Sequence, residues 1–176
     1  MSTRNNKKNE IQKAALQLFS DFGTDAVSTK KIAAAAAVSE GLIFRHFQNK
    51  EGLINFLYEK EVEAIQTVAK GLDDLSHPKV ILSEILSIPF LIKEKHFTFY
   101  KWHIGMMGKQ FSHRNILVPI ITPKLKEAFM ALEVKNITAE IETFWIVFNG
   151  FVQALILEPD LNFISIYNCL KEKYKI

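Results

Sequence analysis

The sequence predicts an all-α fold of about nine helices, a small three-helix unit followed by a larger helical bundle. Three observations carry this. Apolar residues recur at three- and four-residue spacing along most of the chain. Glycine and proline are scarce, 7 and 5 among 176 residues, so few positions interrupt a helix. Hydrophobic residues make up 48% of the chain and include 14 phenylalanines, enough bulk to fill a core and to wall a cavity.

The first helix is predicted over Asn6 to Phe22, where Ile11, Ala14, Ala15, Leu18, Phe19 and Phe22 share a face and Gly23 stops the turn. Ser28 or Thr29 then caps a second helix running to Ala35, whose alanines permit close packing. Ala36 to Ser39 reads as a tight turn, with Ser39 as the N-cap of a third helix over Glu40 to Phe47. Asn49 is positioned to cap a fourth, which buries Leu53, Ile54, Leu57, Val62 and Ile65 and extends to about Gly71. Past Ser76-His77-Pro78 five more helices are expected, over 79–93, 96–110, 115–132, 138–157 and 161–174. Pro89, Pro119 and Pro123 are the expected breaks or kinks, with Thr122-Pro123 resembling an N-cap and a first-turn proline. The division falls in the first half of the fourth helix: a head over residues 1–52 and a bundle over 53–176.

Charge is distributed unevenly. The chain carries a net +3, yet through Lys50 eight basic residues face four acidic ones. A basic head on a near-neutral body suits an anionic partner, although solvated faces also collect charge. Cys169 is the only cysteine, which excludes an internal disulfide and suits a reducing cytoplasm. Residues 1–10 are polar and lack the apolar centre of a secretion signal. The most apolar stretch, Phe144 to Leu157, is shorter than the roughly 20 residues a bilayer needs and contains Asn149 and Gln153, so no membrane association is expected. His96, His103 and His113 lack the cysteine or carboxylate companions of a familiar metal cluster, and no metal or cofactor is expected. No Ser/His/Asp order, phosphate-cradling glycine loop or HExxH pattern points to catalysis.

Two short helices joined by a tight turn, behind an amphipathic first helix, are the parts of a helix-turn-helix reader of duplex DNA. The major groove is about 12 Å wide and admits one helix, so the supporting helix must cross on small residues; Ile32, Ala33, Ala36 and Val38 supply them. From Ile11 to Leu53 the residues resemble the tetracycline-repressor (TetR) family. The matching pieces are Ala14-Ala15 with Leu18-Phe19, Phe22-Gly23, Ile32-Ala33, Val38-Ser39, Gly41, His46-Phe47, and Lys50-Glu51 with Leu53.

The resemblance implies that the third helix faces base edges and phosphates through Ser39, Glu40, Leu42, Phe44, Arg45 and His46, with Gly41 allowing close backbone approach. Arg45 suits a bidentate pair with guanine or a phosphate clamp, and Glu40 an acceptor for cytosine. Lys30 and Lys50 would neutralise phosphates and set register. Lys7 and Lys8 read either as an arm reaching DNA or as a solvated terminus. Three positions depart from the family pattern: Ala37 stands where glycine is usual, Leu42 where threonine or another small residue is usual, and Phe44 where tyrosine is usual. Ala37 implies a turn that accommodates a Cβ, and Phe44 lacks the hydroxyl that would bond a phosphate, leaving it a sugar or a thymine methyl to pack against.

The resemblance also implies an effector cavity among the aromatic-rich helices of the bundle, for which Tyr100, His103, Met107, Trp145, Phe148 and Asn149 are the candidate lining residues. The helix from Thr138 to Leu157 is apolar on more than one side. One stripe, Ile141-Trp145-Phe148-Val152, suits the body of the bundle. Another, Val147, Gly150, Phe151, Ala154 and Leu157, with Ile164, Tyr167 and Leu170 of the last helix, resembles the family's four-helix dimer interface. The expected function is a cytoplasmic homodimeric repressor of a near-palindromic operator, released by a small apolar effector, with the fourth helix as lever. A ligand-independent DNA-binding regulator and a helical carrier or enzyme are the alternatives.

Overall fold

The computed structural model describes residues 3–105, 113–158 and 160–176. Among them the regular structure is helical: α1 (Thr3–Phe22), α2 (Thr29–Ala35), α3 (Glu40–Phe47), α4 (Lys50–Asp73), α5 (Pro78–Leu91), a π-helical turn (Ile92–His96), α6 (Phe97–Gly105), α7 (His113–Ala131), α8 (Ile137–Leu157) and α9 (Phe163–Tyr174). The described residues form two compact units, one of 3–64 with 98–105 and the other of 65–97 with 113–158 and 160–176. The unit boundary therefore lies later in α4 than the sequence division at 52/53, and α6 joins the head.

The first unit is built around Ile11, Ala15 and Phe19 of α1, Ile32 and Ala33 of α2, Ile43 and Phe47 of α3, and Leu53, Ile54 and Leu57 of α4, all buried. Its local signals are used largely as the sequence suggests. Gly23 ends α1 at φ +75°. Ser28 Oγ accepts the Lys31 amide at 3.2 Å, and Asn49 Oδ1 accepts the Gly52 amide at 2.8 Å. The α2–α3 turn closes with the Val38 amide on the Ala33 carbonyl and the Ala37 amide on the Ala34 carbonyl, a Schellman pattern that places Ala37 at φ +49°. Helix α1 begins at Thr3 rather than Asn6, so Lys7 and Lys8 lie on a helix and not on an extended arm.

Two further features make the α3–α4 junction tight. Gln48 sits at φ +67°, with the Asn49 amide bonded to the Phe47 carbonyl two residues back at 2.8 Å, a γ-turn. At Gly52 an added Cβ would fall 2.0 Å from the Phe47 carbonyl oxygen, so this position admits no side chain without movement. Helix α6 docks on the same unit. Trp102 stacks on Phe19 with ring centroids 5.4 Å apart and donates its indole N–H to Thr24 Oγ1 at 2.8 Å. Lys101 pairs with Asp21 at 3.2 Å, holding that carboxyl below the usual carboxylate range together with the stronger Gln17 hydrogen bond.

The second unit packs α5, α7, α8 and α9 together. Ile81, Leu82, Ile85 and Leu86 of α5, Leu117, Ile121, Leu125 and Phe129 of α7, and Phe144, Trp145 and Phe148 of α8 are buried. The prolines do not break these helices. α7 runs through Pro119 and Pro123, both exposed, while the buried face repeating at four-residue intervals holds the helix across the missing donors. Thr122 is consequently mid-helix and not an N-cap, and its hydroxyl accepts the Trp145 indole N–H at 3.1 Å. Pro89 likewise lies inside α5, where it is buried, and a π turn follows the helix at Ile92–His96.

Candidate nucleic-acid interface

Helix α3 divides cleanly along its length. Ile43 and Phe47 are buried, whereas Gly41, Phe44, Arg45 and Gln48, on the opposite side at i, i+3, i+4 and i+7, are exposed. The split arises because α3 is amphipathic and rests on α2 and α4, which bury one stripe and leave the other to solvent. The N-cap Ser39 has extended backbone, φ −75° and ψ 146°, and its hydroxyl makes no cap bond, so it remains exposed for another acceptor. Gly41 has open space where a Cβ would sit. Leu42 and His46 are half-buried flanks, the latter against Phe47 with ring centroids 5.9 Å apart.

Glu40 has a role that spacing did not suggest. Its carboxylate accepts the Thr29 hydroxyl at 2.6 Å, tying the first turn of α3 to the first turn of α2. An acid there also suits the positive end of the helix dipole, as Arg45 and His46 in the last turn suit the negative end. Lys30 is exposed on α2 and Lys50 half-buried at the start of α4. Lys8 is half-buried, with its ammonium 3.9 Å from the centre of the Phe56 ring, and Lys31 stands 3.8 Å from the centre of Phe22. The resulting surface presents two helix starts, a guanidinium, an exposed ring and several ammonium groups, which suits phosphates and base edges.

The residues expected at an effector site are distributed differently. In the first unit Tyr100 and His103 are sealed in the core, and the Tyr58 hydroxyl lies 2.9 Å from His103 Nδ1. Burial lowers the His103 imidazole to about 4 and raises the Tyr100 phenol, aided by the nearby Glu61 charge. In the second unit Trp145 and Phe148 are core residues and Asn149 is half-buried; Met107 lies outside the described residues. A cavity of about 340 Å³ instead opens between α4 and α5, lined by Val68, Leu72, Leu75, Ile88 and Leu91 with Glu84 and Ser87. None of these residues was singled out from the sequence.

On the face expected to meet a partner, Phe151 is buried within the chain itself against Phe163 and Phe90, and Ala154 and Tyr167 pack on the same cluster. Gly150, Leu157 and Ile164 are exposed, the last two 59% and 62%, while Val147 and Leu170 are half-buried. Ile146, 72% exposed, was missed; its place four residues before Gly150 and eleven before Leu157 puts it on the same side of α8. α8 is long and apolar enough to cross a bilayer by length and composition, and is longer than the stretch isolated from sequence. Its seven buried residues account for much of that character as core packing.

The three-helix head, with α3 held on α2 and turned outward, is that of a helix-turn-helix DNA-binding protein. Residues 11–56 match the family model for bacterial regulatory proteins, tetR family. The likeness to the tetR family of bacterial regulatory proteins thus lies in this DNA-binding head. A stretch of 77 residues is 34% identical to the nucleoid occlusion factor SlmA of Citrobacter koseri, covering 42% of this chain and 39% of that protein. The corresponding protein of Escherichia coli O1:K1 is 33% identical over 75 residues, 40% of this chain and 38% of the relative. The chain thus spans about two fifths of the length of these curated relatives.

Solved structures match along nearly the whole chain. The putative transcriptional regulator from Pseudomonas aeruginosa PAO1 superposes with a TM-score of 0.71 at 16% identity, covering 99% of this chain and 92% of that one. The transcriptional regulator FadR from Bacillus subtilis in complex with stearoyl-CoA gives 0.69 at 17% identity, covering 94% and 96%. At such identities the likeness is one of fold.

Proposed function

We propose that the chain is a cytoplasmic homodimeric repressor that lays α3 of each subunit in the major groove of a near-palindromic operator and leaves it when a small apolar effector binds. The observation that carries this reading is the division of α3, which buries Ile43 and Phe47 and turns Phe44 and Arg45 outward. Arg45, Phe44 and Gly41 then meet base edges, flanked by Leu42 and His46. Ser39, Lys30 and Lys50 meet phosphates, and Glu40 positions α3 through Thr29. Dimerisation through α8 and α9 is supported by the exposed apolar group of Ile146, Leu157 and Ile164 beside Gly150.

The α4–α5 cavity supports the effector reading, being apolar with two polar groups and of a size that small-molecule sites use. The stearoyl-CoA held by the Bacillus subtilis relative favours a ligand with an acyl or similar apolar chain. A ligand there acts by binding more tightly to the form of the dimer that does not fit the operator.

Selection of bound duplexes from a random pool tests the reading. The expected product is a near-palindrome with half-site centres about 34 Å, or a multiple of that, apart. Arg45→Ala should lose roughly 10- to 100-fold in affinity for the selected duplex while keeping its helical content and oligomeric state. An unselected pool, or an Arg45→Ala protein that binds as tightly as the parent over a range of salt, overturns it.

A further inference from the structure

The outward face of α3 has an apolar group near its centre. Elsewhere in the head aromatic rings are used inside, Phe19 at 1% and Phe47 at 5% exposure, whereas Phe44 is 45% exposed. Phe22 is exposed as well, but it lies at the end of α1 and carries the Lys31 ammonium over its ring. A phenyl ring left in water forgoes apolar burial, and it has no donor or acceptor with which to read a base edge. The floor of the major groove offers such a ring one apolar partner, the C5-methyl of thymine. One turn earlier Gly41 leaves open space, so α3 can lie close to the groove floor at this point. The next residue, Arg45, is exposed and brings the planar fork that fits guanine.

We propose that Phe44 is a specificity-determining residue that reads a thymine methyl in the same half-site as the guanine taken by Arg45. This inference rests on the DNA-binding reading above and adds the identity of one base. It makes the operator depend at that position on a single methyl group rather than on a hydrogen-bonding edge.

The test replaces thymines of the selected duplex, one position at a time, with deoxyuridine, which keeps every hydrogen-bonding group and lacks only the methyl. Burying one methyl-sized group against a ring predicts a loss of about fourfold per half-site and roughly fifteenfold when both halves are changed. 5-Methylcytosine at the same position, which restores the methyl on a different edge, should bind more tightly than cytosine. Phe44→Ala should bind the thymine and deoxyuridine duplexes equally, and Phe44→Leu should recover part of the discrimination; circular dichroism checks that both fold.

A selected duplex that is indifferent to deoxyuridine throughout, or a penalty of equal size in Phe44→Ala, overturns the assignment to Phe44 while leaving DNA binding intact. Failure to select any duplex overturns the DNA-binding reading itself, and this inference with it.

Discussion

Ala37 occupies the left-handed C′ position of a Schellman turn at φ +49°, where a Cβ is disfavoured and glycine is the usual solution. Ala37→Gly should therefore stabilise the protein by about 0.5–1 kcal/mol, the relief of left-handed strain exceeding the added flexibility of the unfolded chain. The check is a higher urea midpoint with an unchanged slope. Gly52 behaves in the opposite sense. Its absent Cβ is what lets α4 start against the end of α3, since that atom would overlap the Phe47 carbonyl oxygen at 2.0 Å. Gly52→Ala should cost about 1–3 kcal/mol, with operator affinity falling as α3 is displaced. A variant as stable as the parent would refute that role. Ala37 was legible as a departure because the turn was legible; Gly52 carried no local signal, because its constraint comes from a carbonyl five residues back brought close by the γ-turn at Gln48.

At the scale of elements, α6 is the helix that the sequence division put in the bundle, with Tyr100 and His103 among the expected cavity lining, and that packs with the head. Its side chains read as generic aromatic core, yet Trp102 bonds Thr24 and His103 meets Tyr58, both within the head unit. Burial holds the His103 imidazole down to about 4, against 6.5 for the free group. The unfolded chain accordingly binds a proton that the folded chain refuses between these values, so this group makes stability fall as pH drops from 6.5 towards 4. The expected loss from His103 alone is about 2 kcal/mol between pH 7 and pH 5. His103→Gln should lack this component, so denaturation midpoints of parent and variant should converge at acidic pH. Parallel pH profiles would contradict the assignment. α7 teaches a related point: Pro119 and Pro123 looked like breaks, but each loses only one donor on an exposed face, while Leu117, Ile121, Leu125 and Phe129 are buried along the other.

At the scale of the molecule, the exposed apolar side of α8 and α9 is the feature a lone subunit leaves unburied. Ile146, Leu157 and Ile164 are each more than half exposed, and the start of α8 is tied to the end of α9 by Glu140, which accepts from Lys173 at 3.2 Å and from Tyr174 at 3.0 Å. Charging this face with Ile146→Glu and Leu157→Glu should convert a dimer to monomers without loss of helix content, and should weaken binding to a two-half-site operator far more than to a single half-site. Sedimentation and titration with both duplexes measure this. A parent protein that sediments as a monomer at micromolar concentration would remove the dimer reading.

The chain's order of residues was sufficient for what depends on neighbours along the backbone: helical periodicity, the stop at Gly23, the caps at Ser28 and Asn49, and an α3 with one apolar and one polar side. Those signals are local, because a helix and its caps are set by groups within about four residues of one another. Tertiary structure alone decided which apolar side chains were spent inside and which were left exposed. It sealed Phe151, Tyr100 and His103, exposed Ile146, opened the α4–α5 cavity and placed α6 with the head. Burial is a property of surfaces brought together from distant parts of the chain, and hydrophobic periodicity records that a residue avoids water without recording what covers it.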